Sequence, residues 1–245
     1  MAEDVGFVLA TIAGIALLAG FVHSAIGFGF GIVAISLLPM VIDPRTSHVV
    51  LSVSSVPMLL VAAWSYRDGI EWKSLRQAML GTVIFLPLGL LLFESVSLSW
   101  LVRGTGFSIL LMVLWSLRNQ NAGENASGSG SCFLAGATGG FLAGAVSIAG
   151  PPIAAFALRQ DWSQSRFKAF VTQCLLLMSC YKAALLIWRG HFVGDALPQT
   201  AVVAAVSIIG VQLGVLASRR IPAEGFKRLV AVALAIVACM MMWRG

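Results

Sequence analysis

The sequence predicts an all-α integral membrane protein of about eight transmembrane helices, built as two homologous four-helix halves whose first helices are broken. Three observations carry this. Hydrophobic residues fill 59% of the 245 positions and charged residues 11%. Apolar runs repeatedly reach the roughly 20 residues needed to cross a hydrocarbon core. Short motifs before residue 118 recur in the same order after residue 131. Mean hydropathy is +0.93. A soluble domain keeps about a quarter of its residues charged, so a solvated skin cannot be built from this composition.

The apolar runs cover residues 5–42, 48–65, 75–94, 98–117, 132–158, 169–188, 196–217 and 226–243. Backbone polar groups inside a bilayer must be satisfied within the segment, so each run is a helix or a broken helix. Membrane barrels need segments of about 10 alternating residues, and these runs do not alternate. Trp64, Trp72, Trp115, Trp188 and Trp243 lie near run ends, as an interfacial aromatic belt requires. The net charge of +6 then reads as loop anchoring rather than as a nucleic-acid surface, since no basic stripe with interleaved aromatics is present. Acids at Glu3 and Asp4 stand where a secretory signal carries basic residues, so the first run is expected to stay in the mature protein. Cys132, Cys174, Cys180 and Cys239 form no C-x-x-C pair and no cluster with His, which supports neither a metal site nor a disulfide framework.

Residues 118–131, RNQNAGENASGSGS, are polar and rich in Gly, Ser and Asn, and read as a linker near the midpoint. Residues 1–117 and 132–245 on either side look alike. Gly20-Phe21 is echoed by Gly140-Phe141, Asp43-Pro44 by Asp161-Trp162-Ser163, Trp64 by Trp188, and Gly89-Leu90 by Gly214-Val215, at offsets of about 120 residues. The preserved order predicts an internal duplication. Single crossings by every run would make the repeats parallel, with the N-terminus outside by the distribution of Lys and Arg. A broken first element of different parity would make them inverted and would gather the basic clusters more easily on one side, and that arrangement is the one expected.

The first run is too long for one ordinary span, and it contains Gly27-Phe28-Gly29-Phe30-Gly31. Glycine weakens a helix interior by up to about 1 kcal/mol each and reaches backbone conformations closed to other residues. The matching place in the second half reads Ser147-Ile148-Ala149-Gly150-Pro151-Pro152, where proline removes donors and restricts the residue before it. Helix breaks are expected at both. A helix that restarts mid-membrane has unpaired N–H groups and a partial positive charge at its start, which suits an anion. Paired breaks in duplicated halves are the pattern of a transporter site at a repeat interface. Gly29, Gly31, Gly150 and the Ser147 hydroxyl are therefore expected to face a cavity.

With these glycine and Gly-Pro-Pro clusters and two four-helix halves, the chain resembles the TauE/SafE family, also called the sulfite exporter or 4-toluene-sulfonate-uptake permease family, over nearly its whole length. The resemblance implies a multi-pass transporter of the plasma (inner) membrane for sulfite, thiosulfate, sulfoacetate or another sulfonate. It points to Gly27, Gly29, Gly31, Gly150, Pro151 and Pro152 as site residues. Relatives often carry consecutive glycines where Phe30 stands.

Lys182 is the only basic residue expected well inside a predicted span, where it must face protein or water or snorkel to the interface. His23 precedes Gly27 by one helical turn and so can face the same cavity, where a protonatable group would suit anion–proton coupling. His48 and His191 sit at run edges and are expected to be solvated. Ser54 and Gln173 are candidate oxyanion donors, while the neighbouring hydroxyls, Ser52 and Ser55 among them, are expected to bond between helices. No nucleophile elbow, zinc signature or Walker loop occurs, so the chain is expected to be neither an enzyme nor ATP-driven and to need no cofactor. The expected activity is secondary transport of a small anion, coupled to protons or sodium, in a lipid bilayer. A passive anion channel and a non-transporting scaffold subunit are the rival readings.

Overall fold

The computed structural model describes residues 2–95, 129–191 and 196–218, together with residues 225, 232 and 236. Among these the chain is helical, without strands. In chain order the helices are α1 (Ala2–Ile26), α2 (Phe30–Leu37), α3 (Pro44–Ser65), α4 (Trp72–Ser95), α5 (Ser129–Val146), α6 (Gly150–Leu158), α7 (Gln164–Trp188) and α8 (Leu197–Ser218). A 3-10 turn, Leu38–Met40, extends α2. The expected fourth span, the linker as far as residue 128 and nearly all of the expected eighth span lie outside the described residues. Among the described residues, five helices are long and apolar enough to cross a membrane: α1, α3, α4, α7 and α8.

The helix starts follow local chemistry. Asp43 caps α3 by accepting from the Arg45 and Thr46 amides, and Pro44 opens the helix where no donor is missed. Ser163 caps α7 by accepting from the Arg166 amide. Trp64, Trp72 and Trp188 at run ends are exposed, consistent with the aromatic belt.

Helix directions can be read from the glycines. A Cβ on Gly81 would meet the backbone of Phe133 and Ala137, and one on Gly89 the backbone of Phe141 and Ala145. Contacts that advance together along both chains mean that α4 and α5 are parallel. The same holds for α1 and α8, where Gly20 faces Ser207, Gly210 faces Leu17 and Gly214 faces Phe21. Small residues at these seams let backbones approach, which substitutes for the hydrophobic drive that lipid cannot supply. The Lys168 ammonium near the start of α7 lies 5.5 Å from the ring of Tyr66 at the end of α3, so α3 and α7 are antiparallel. The Gln164 side chain at the start of α7 donates to the Ser218 carbonyl at the end of α8 (3.5 Å), so those two are also antiparallel. Hence α1, α3 and α8 run one way and α4, α5 and α7 the other. The first described helix of each half packs on the last described helix of the other.

Both long first elements are broken. After α1 the chain takes left-handed conformations at Gly27 (φ 103°) and Gly29 (φ 117°) and restarts as α2. Because α1 and α3 are parallel, the residues between them must return, and α2 makes that return. After α5 the break falls at Ser147 (φ 58°). It therefore comes before Gly150-Pro151-Pro152, and the prolines occupy the first turn of α6 rather than interrupting a helix. Gly27→Ala places a side chain where L-residues are strained, against Phe167 and Lys168 side chains that have some room to yield. A loss of about 1–3 kcal/mol is expected, read as a lower midpoint of thermal unfolding with thiosulfate affinity retained.

Candidate functional site

The two breaks meet. A Cβ on Gly31 would overlap the Ser147 carbonyl oxygen, and a Cβ on Gly150 would come within 2.8 Å of the Phe28 Cβ. Each break thus uses a glycine to let the other pass. Beside this crossing lies a cavity of about 60 Å³. A single water needs roughly 10–15 Å³, so a few waters or one small oxyanion would fill it.

Of the residues singled out from sequence, the cavity gathers His23, Gly29, Gly31, Ser147, Gly150 and Lys182. The Lys182 ammonium donates to the Ser147 hydroxyl oxygen at 2.6 Å. It is buried, not snorkelling to the interface. His23 is also buried, and neither of its ring nitrogens has a hydrogen-bond partner among the described residues. The first-turn amides of α2, at Phe30, Gly31 and Ile32, have no intrahelical acceptor, and all three residues line the cavity. The start of α6 is poorer in donors, because Pro151 and Pro152 have no N–H. On that side Lys182 and Ser147 supply the positive end.

The remaining candidates fall elsewhere. Gly27 packs against Phe167 and Lys168 instead of the cavity. Pro151 and Pro152 are buried in helix packing and do not line it. The Ser54 hydroxyl turns back to the Leu51 carbonyl at 3.5 Å, and Ser52 and Ser55 line the cavity in its place, each also bonding a carbonyl of its own helix. Gln173 is half-buried and away from the cavity.

Two basic residues correct the sequence reading. His48 is not solvated. It is fully buried, stacks on Phe93 with ring centroids 3.9 Å apart, and places Nδ1 3.0 Å from the Ser147 hydroxyl oxygen. Lys182 is not the sole lysine inside a span, because Lys168 is buried too and donates to the Ser24 carbonyl at 2.9 Å. That carbonyl, which also accepts from the Tyr66 hydroxyl, lies in the last turn of α1, where a cation is favoured by the helix dipole. The signal for both was the offset of about 120 residues, which maps His48 onto Lys168 and Gly27 onto Ser147. Each break residue touches the matched residue of the other half.

Such a site, at two facing helix breaks within a bundle of membrane-length helices, defines a polytopic α-helical membrane protein of the transporter class. A family model described as "Sulfite exporter TauE/SafE" matches residues 12–241, and the chain belongs to that family. It is similar to a protein of Cupriavidus necator named "Probable sulfite/organosulfonate exporter TauE", at 24% identity over 82% of this chain and 79% of the relative. No solved structure matches.

Proposed function

We propose that the protein is a secondary transporter of a small sulfur oxyanion, sulfite or thiosulfate being the best fit, bound where the two helix breaks cross. The observation that carries this is the cavity's lining: among the described residues Lys182 is its charged residue, and none of those that line it is a carboxylate. A buried ammonium, an adjacent hydroxyl and α2 amides with no intrahelical acceptor form a receptor for an anion and a poor one for a cation. The cavity's size favours an inorganic oxyanion over a sulfonate with an organic tail. The relative's name supports the sulfur chemistry.

The opposed directions of α1 and α5 fit two inverted repeats, 1–117 and 132–245, joined by residues 118–131. Rocking of one part of the bundle against the other would open the crossing to each side in turn. The expected location is the plasma (inner) membrane. Purified protein reconstituted in liposomes is expected to move radiolabelled sulfite or thiosulfate with saturation, and to exchange it faster when the same anion is present on the opposite side. Non-saturating flux would indicate a channel. Absence of both flux and binding would indicate a scaffold.

A further inference from the structure

We infer that the Ser147 hydroxyl is a switch through which an anion in the cavity is taken up together with one proton, held on His48. The inference rests on the anion reading above and adds the coupling ion to it.

A serine hydroxyl has one proton and two lone pairs. In Ser147 the Lys182 ammonium occupies one lone pair, and the contact with His48 Nδ1 uses what remains. Two arrangements satisfy that geometry. If Nδ1 carries no proton, it accepts the hydroxyl proton and Ser147 has no donor left for a ligand. If Nδ1 is protonated, it donates to the second lone pair, and the hydroxyl proton must turn elsewhere. Ser147 lines the cavity, so the hydroxyl then becomes a donor to an anion there. A ring that already holds a proton on Nε2 and gains one at Nδ1 presents this donor as it becomes charged, whereas a neutral ring that moves its one proton to Nδ1 presents the same donor with no proton taken up, and the number of protons taken up per anion separates the two.

His48 lies behind Ser147 and does not itself line the cavity. Its proton therefore arrives through the hydroxyl: Oγ passes its proton to Nδ1 and takes one from a cavity water, which draws in turn on solvent. One proton leaves solvent, one N–H bond forms, and nothing else changes. The groups around His48 favour taking up the two together. Among the described residues, Lys182 from α7 and His191 just beyond that helix are the titratable groups that act on it, α4 contributes the uncharged Phe93 ring, and Asp43 at the start of its own helix is engaged in capping. An imidazolium and an ammonium on opposite sides of one oxygen repel each other. An anion in the cavity offsets both charges, so each ligand raises the affinity for the other by the same factor.

The test uses the purified full chain with thiosulfate and sulfate, anions that do not themselves titrate near neutral pH. In weak buffer with an indicator dye, about one proton is expected to be taken up per anion bound. The apparent affinity is expected to fall about tenfold per pH unit above the titration of His48. In His48→Gln, and separately in Ser147→Ala, uptake is expected to vanish and the affinity to lose its pH dependence. Binding without proton uptake in the wild-type protein overturns the inference and leaves the anion site standing, and this arm needs no variant. Uptake that persists in His48→Gln also overturns it and moves the proton to another group, with His23 the next to test. Failure of both anions to bind removes the anion site and this inference together.

Discussion

Lys182→Met is expected to weaken thiosulfate binding by about 10–100-fold, since hydrogen bonds to charged groups contribute roughly 1.5–3 kcal/mol, and to abolish flux at concentrations that saturate the wild-type protein. Methionine keeps most of the apolar stem and deletes the ammonium that lies 2.6 Å from the Ser147 hydroxyl. The folded protein should not suffer. A buried lysine with no carboxylate beside it among the described residues is a cost to the fold, so the variant is expected to unfold at the same temperature as wild type or higher. Binding lost with stability kept separates a ligand contact from a structural one. A thermal-unfolding series with and without thiosulfate reads both quantities in one experiment. If Lys182 only filled space, Met would leave the ligand-induced shift unchanged.

Gly31→Ala is expected to have a large effect on the fold. The added methyl would overlap the Ser147 carbonyl oxygen, and both partners are backbone, so no rotamer change can relieve the contact. Overpacking of this kind costs about 1–3 kcal/mol and more where backbone must move. Here the movement needed would part the two helix breaks and open the cavity's wall. The expected results are a sharp fall in folded yield from the membrane and no ligand-induced shift in what remains. Gly14→Ala is the control, with the same substitution in α1. A Cβ there meets nothing within 4 Å, and alanine's better helix propensity should leave stability unchanged or raise it by up to about 1 kcal/mol. Equal effects at the two positions would mean that the crossing is not held as tightly as described.

The glycine alternation from Gly27 to Gly31 was legible as a break because glycine's conformational freedom is a property of the residue itself. The second break was legible only approximately. Gly-Pro-Pro marks a helix boundary, but the left-handed turn falls on Ser147, a residue with no intrinsic preference for it. Serine adopts that conformation where the crossing with Gly31, the bond from Lys182 and the contact with His48 hold it. His48 and Lys168 were misplaced for a related reason. Each lies a few residues inside its helix start, which in hydropathy alone looks like an edge. Their burial comes from the break of the opposite half packing over them.

Composition and run length by themselves determined that this chain is a bundle of membrane helices, because the cost of exposing backbone groups to lipid allows such runs little else. Glycine and proline chemistry determined roughly where those helices must break. Only the tertiary structure decided which face of each break meets the other, that Lys182, Ser147 and His48 form one hydrogen-bonded row, and that Ser52 and Ser55 rather than Ser54 reach the cavity. The physical reason is that breaks and burial of apolar surface are set within a segment. The partner of a buried polar group lies on another segment, so only the packing of the two halves selects it.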